Sequence, residues 1–115
     1  MSENGGDVLE ILLDRREAPR GLVHADANCR IGEDSFMGVA RNLSEEGLFI
    51  ETSWSPIAGH KVEVELCFRG YPMVLRLRGE VARVERDGAR GVGVRLIGID
   101  AAARAELRNW FSTDR

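Results

Sequence analysis

The chain has 115 residues, 43% hydrophobic and 30% charged, with a formal charge of −3 and a pI near 5.4. That composition fits one globular domain, which buries roughly two-thirds of its unfolded surface. The acidic balance excludes a general DNA or RNA binder, which needs many cations to neutralise phosphates.

Met1 to Asp7 reads as a flexible polar leader. It lacks the basic start and apolar stretch of a secretory signal, and no later run approaches the roughly 20 apolar residues that span a bilayer. The expected location is cytoplasmic, with no membrane insertion. Val8-Leu9-Glu10-Ile11-Leu12-Leu13 is apolar at almost every position, too short to favour helix or strand, and Asp7 is placed to cap a single helical turn there. The segment either packs on the outside of the domain or docks on a neighbouring subunit or partner. Residues 1–13 are therefore set apart from a domain over 14–112.

Arg15-Arg16-Glu17-Ala18-Pro19-Arg20 has no apolar periodicity, and Pro19 biases Ala18 toward an extended backbone. Leu22 to Ile31 partly alternates, with Val23, Ala25, Ala27 and Cys29 on one face, and reads as the first strand. Gly32-Glu33-Asp34 turns the chain into a second strand, Phe36 to Leu43. Asn42-Leu43-Ser44-Glu45-Glu46-Gly47 follows as a polar turn, and Gly47 to Thr52 is the third strand. Pro56 and Gly59 make Trp54 to Gly59 a loop.

The clearest alternation is Val62, Val64, Leu66 and Phe68 against Lys61, Glu63, Glu65 and Arg69. After the Gly70-Tyr71-Pro72 turn, Met73 to Glu85 alternates again, with Gly79 marking a bulge or bend. Asp87-Gly88 is a short turn signal, and Gly91 to Ile97 closes the set. The period then changes: Asp100 caps a helix over Ala101 to Phe111 that puts Ala103, Leu107, Trp110 and Phe111 on one side. Thirteen glycines suit such a turn-rich β chain. Six short antiparallel strands and a terminal helix point to a small closed barrel, because closure removes exposed edges.

Chemistry is sparse. The chain has no nucleophile elbow and no phosphate-binding Gly-Lys loop, so no enzymatic activity and no catalytic residue is expected. Cys29 and Cys67 sit in strand-like runs and read as reduced, buried thiols. With no Cys-x-x-Cys and with His24 and His60 isolated, no metal site is expected. Glu45-Glu46 and the Glu63/Glu65 pair read as solvated faces.

The arginines and the polar turn offer more. A guanidinium fork matches phosphate oxygens or the guanine O6/N7 edge and stacks on a base. Taken alone, Arg15, Arg16 and Arg20 also fit a solvated linker. Asn42 is able to satisfy a guanine edge with its amide. Ser44 either donates to a ligand or bonds its own turn. Gly47 either lets ligand or backbone approach closely or adopts a positive φ.

Together, Arg16-x-x-x-Arg20 and Asn42-x-Ser44-x-x-Gly47, in this order and on this strand pattern, resemble the two motifs of PilZ domains. Leu48-Phe49-Ile50-Glu51-Thr52 and Gly91-Val92-Gly93-Val94-Arg95-Leu96 extend the resemblance across residues 14–112. One departure is Leu96, where an aromatic often stands. The resemblance implies a mainly β fold, a six-stranded antiparallel PilZ-type barrel with a C-terminal helix. It also implies a non-enzymatic bacterial receptor for the second messenger cyclic di-GMP, with no further cofactor. Arg16 and Arg20, joined by Arg15, would contact guanine and phosphate; Asn42, Ser44 and Gly47 would hold a guanine. The protein would be a monomer or weak dimer that signals in trans to an unidentified protein partner, with motility among the possible outputs. The other reading is a PilZ-fold interaction adaptor that works without nucleotide.

Overall fold

Each long strand buries alternate residues over much of its length, and the resulting sheet curls until its first and last ladders meet. A computed structural model describes residues 10–11, 24–54, 56–69, 74–88 and 90–111. Seven strands and one helix occur among them: Glu10–Ile11 (β1), His24–Ile31 (β2), Asp34–Arg41 (β3), Gly47–Glu51 (β4), Lys61–Cys67 (β5), Val74–Glu85 (β6), Gly91–Leu96 (β7) and Ala101–Phe111 (α1). All ladders are antiparallel. The sheet order is β1-β6-β5-β2-β3-β4-β7, and a further β6–β7 pairing closes six of the strands into a barrel. That is the architecture expected from the strand spacing and the resemblance.

Ala25, Ala27 and Cys29 of β2, Val62, Val64 and Leu66 of β5, Leu75, Leu77 and Val81 of β6, and Val92, Val94 and Leu96 of β7 fill the interior. Ile50, Leu66, Leu75 and Leu107 are among the largest fully buried side chains; each contributes about 1.5–3 kcal/mol by leaving water. The antiparallel course gives the barrel two distinct ends. At one, Trp54 stacks on Phe36 with ring centroids 4.7 Å apart and planes 8° from parallel. At the other, α1 buries Leu107, Trp110 and Phe111, and Phe111 tilts against Phe68 at 6.5 Å. Asp100 caps α1 as expected, accepting the Ala103 N–H at 2.8 Å.

Some boundaries and one irregularity differ from expectation. The second strand of the barrel stops at Arg41 rather than Leu43, because Asn42 takes φ +55° and turns the chain. The bulge in β6 lies between Val81 and Arg83, not at Gly79. Gly79 serves packing instead: a Cβ there would stand 2.4 Å from the Val94 side chain and 2.8 Å from the Arg95 carbonyl. Glu10–Ile11 form a strand rather than a helical turn, pairing with Arg76 and Leu75. Arg76 also pairs with Glu65 of β5, and Gly79 with both β5 and β7. β1 and β7 thus share one edge of β6. The rest of Val8–Leu13, Leu22, Val23 and the Gly70-Tyr71-Pro72 turn lie outside the described residues.

Candidate ligand-binding site

The β3–β4 turn is shaped by its own side chains. Ser44 Oγ accepts the Glu46 N–H at 3.1 Å and the Gly47 N–H at 3.2 Å, and its hydroxyl reaches the Gly47 carbonyl at 3.3 Å. The Ser44 N–H donates to that same carbonyl at 3.0 Å. The hydroxyl is therefore occupied with local backbone, as one reading of the sequence held. Leu43 points inward and is buried, which pins the turn to the barrel. Asn42, at positive φ, is exposed, and among the described residues no side chain or backbone group bonds its amide.

Gly47 has an ordinary φ and is needed for close approach. A Cβ there would lie 2.3 Å from the Val94 carbonyl oxygen, a contact imposed by its register opposite Arg95 of β7. The next bond in line, from the Leu96 N–H to the Glu46 carbonyl at 2.9 Å, seals the turn onto β7.

A row of outward residues runs from this turn across the barrel wall. His24 pairs with Arg41, Arg41 with Phe49, Phe49 with Gly93 and Gly93 with Arg83. The bare backbone of Gly91 and Gly93 lets neighbours lie flat. A Cβ on Gly91 would meet the Phe49 ring at 2.8 Å, and one on Gly93 the Arg83 side chain at 3.1 Å. Arg83 accordingly sits with its guanidinium carbon 5.9 Å from the Phe49 ring centroid, and Glu85 steadies it at 2.9 Å. A guanidinium plane held over an aromatic ring is a surface on which a planar base can stack. Arg41 pairs with Glu51 at 3.0 Å, and Arg95 with Glu80. Sequence reading missed Arg41, Phe49 and Arg83 as a group because their adjacency comes only from register. The GVGV run of β7 was the signal that would have found it, since alternate glycines leave one face of a strand flat.

Glu45 was read as solvated, and here the structure corrects the sequence. Its carboxylate takes two bonds from Arg108 of α1, at 2.7 and 3.1 Å, and its carbonyl accepts from Arg104 at 3.3 Å. The hydrogen bond from Arg108, helped by the charges of Arg108 and Arg104, holds the Glu45 carboxyl below the usual range. Glu63 and Glu65 are also paired, with Arg30 at 2.8 Å and Arg76 at 3.0 Å. They line a groove of about 670 Å³ on the wall formed by β3, β2, β5 and β6. The groove is roomy enough for a nucleotide, and two of its arginines, Arg30 and Arg76, face these carboxylates. The Asn42–Gly47 turn does not line it.

Of the residues expected to bind ligand, Asn42, Ser44 and Gly47 share this turn, while Arg15, Arg16 and Arg20 lie outside the described residues. The two histidines, His24 and His60, and the two cysteines form no metal-binding group among the described residues, and none of the described helices is long and apolar enough to cross a membrane.

A PilZ domain family model matches residues 14–112. Among solved structures, the chain is similar to one described as the crystal structure of the PilZ domain of CeSA from a cellulose-synthesizing bacterium. The match has 18% identity and a TM-score of 0.55, and covers 75% of this chain and 87% of that one. At that identity the likeness bears on the fold, which is the same barrel. No curated protein sequence matches the chain.

Proposed function

The chain belongs to the PilZ family, and from that premise we propose that it is a non-enzymatic receptor for cyclic di-GMP. PilZ domains are in general receptors for this nucleotide. The observation that carries the reading to this chain is one ladder pair, His24 opposite Arg41. It sets His24 beside the residue that precedes Asn42. Arg20 precedes His24 by four residues, a span of at most about 14 Å when extended, which supports the reading that both motifs serve one ligand.

In this reading Arg16 and Arg20, with Arg15 as a third cation, bond the phosphates and a guanine Hoogsteen edge. Asn42 presents its amide to a base from a turn that Ser44 holds in shape. Gly47 keeps β4 close to β7 so that the turn stays seated. Ligand contacts made only with the arginine segment in place shift its population toward one bound state. That change is the signal offered in trans to a protein partner in the cytoplasm, with motility one candidate output.

The test is competition. Labelled cyclic di-GMP is displaced by unlabelled cyclic di-GMP from the wild-type protein and from Arg16→Ala, Arg20→Ala and Asn42→Ala variants. Each arginine variant is expected to lose at least tenfold in affinity, about 1.4 kcal/mol. Equal affinity in the double arginine variant would remove that segment from the site. A partner retained equally with and without nucleotide would favour the adaptor reading.

A further inference from the structure

We infer that the Asn42–Gly47 turn is energetically coupled to α1 through Glu45, so that a ligand held at the turn is reported by the helix. The inference rests on the cyclic di-GMP reading of that turn and adds to it a route for the output.

Three observations converge. Glu45 lies within the motif turn and offers two acceptors, its carboxylate and its carbonyl. Both are engaged by α1, the carboxylate by Arg108 in a two-pronged pair and the carbonyl by Arg104. The two arginines stand four residues apart and so lie on one side of the helix, stacked toward the turn. The Glu45 side chain is 21% exposed and that of Arg108 62%, so the carboxylate is sheltered while the guanidinium stays at the surface. Second, the turn reaches α1 by another path. The Glu46 carbonyl accepts the Leu96 N–H at the end of β7, and the chain from Leu96 enters α1 after a left-handed step at Gly98, φ +70°. Turn and helix are thus joined both through bonds and across space. Third, α1 has a defined seat and an open outer side: Leu107, Trp110 and Phe111 cap one end of the barrel while Ala101, Ala102, Ala105 and Asn109 are exposed. A small change in how the helix sits alters that outward face.

Coupling of this kind is reciprocal. If ligand at the turn steadies α1, then loosening α1 from the turn must weaken the ligand by the same factor. This gives Glu45→Ala a diagnostic sign. By simple charge, removing a carboxylate beside a site for a dianion tightens binding. By coupling, it weakens binding.

The experiment pairs calorimetric titration of cyclic di-GMP with hydrogen–deuterium exchange of residues 101–111, on the full chain. Nucleotide is expected to slow α1 exchange in the wild type. In Glu45→Ala the ligand effect on α1 should vanish and affinity should fall about fivefold or more. The charge-exchanged Glu45→Arg/Arg108→Glu protein should recover part of both, which also guards against a folding defect in the single variant. Binding by wild type with no change in α1 exchange, or unchanged or tighter binding by Glu45→Ala, would overturn the coupling while leaving the receptor reading intact. No binding by wild type would remove that reading and the coupling with it.

Discussion

Gly47→Ala separates a glycine kept for a ligand from one kept for a neighbouring strand. The added Cβ would stand 2.3 Å from the Val94 carbonyl oxygen, while real Cβ atoms keep at least 3.0 Å. The two strands must therefore part by 3.0 − 2.3 = 0.7 Å or more. Neither atom can turn aside, because one is fixed to the β4 backbone and the other is β7 backbone itself. The Leu96–Glu46 bond of 2.9 Å sits one step beyond and stretches past useful range if the strands separate by that amount. Losing it costs about 1 kcal/mol, and the local overpacking costs about 1–3 kcal/mol. A total near 2–4 kcal/mol lowers Tm by roughly 6–24 °C for a domain of this size. Thermal and urea unfolding followed by circular dichroism provide the measurement. Stability within about 0.5 kcal/mol of wild type, the range of ordinary surface changes, would refute the steric account. Gly47 would then have to be explained by what binds there.

Other perturbations follow from the same structure. Ser44→Ala removes the acceptor for two turn N–H groups, so stability should fall by about 0.5–1.5 kcal/mol in urea unfolding; cyclic di-GMP affinity should fall with it, since Asn42 loses its platform. Asp100→Ala removes the cap of α1 and should cost about 1 kcal/mol, with faster exchange in the first turn of the helix. Burial pushes the Cys29 thiol up from 9.0 to about 12, so native protein at pH 8 should not be alkylated at Cys29 until it unfolds. The folded form holds that proton more tightly than the unfolded one. Stability should therefore fall between pH 9 and 12, by up to about 1.4 kcal/mol per pH unit, and Cys29→Ala should flatten that decline after its own packing cost is subtracted.

How much of this was written in the chain depends on the range of the interaction. Val62, Val64, Leu66 and Phe68 announced β5 because alternation is local and one face is dry. Asp100 announced α1 for the same reason. The Asn42–Gly47 turn was legible as a turn, and its serine was legible as a possible staple. What the sequence could not disclose is register. Glu45 and Arg108 are 63 positions apart, and nothing local tells a glutamate in a polar turn from a solvated one. The Arg41–Phe49–Gly93–Arg83 row needs three ladders to be in place before its members meet. Gly79 misled for a related reason: a strand glycine signals a bulge or a close neighbour equally well, and here the neighbour was Val94. Glu10–Ile11 escaped because two residues carry no period at all.

The central claim is tested most directly by calorimetric titration of the purified protein with cyclic di-GMP, alongside the Arg16→Ala/Arg20→Ala double variant. The account predicts saturable binding at micromolar concentrations or tighter, lost in the variant. No heat from the wild type, together with no displacement of labelled nucleotide, would contradict it, leaving a PilZ barrel that works through protein contacts alone.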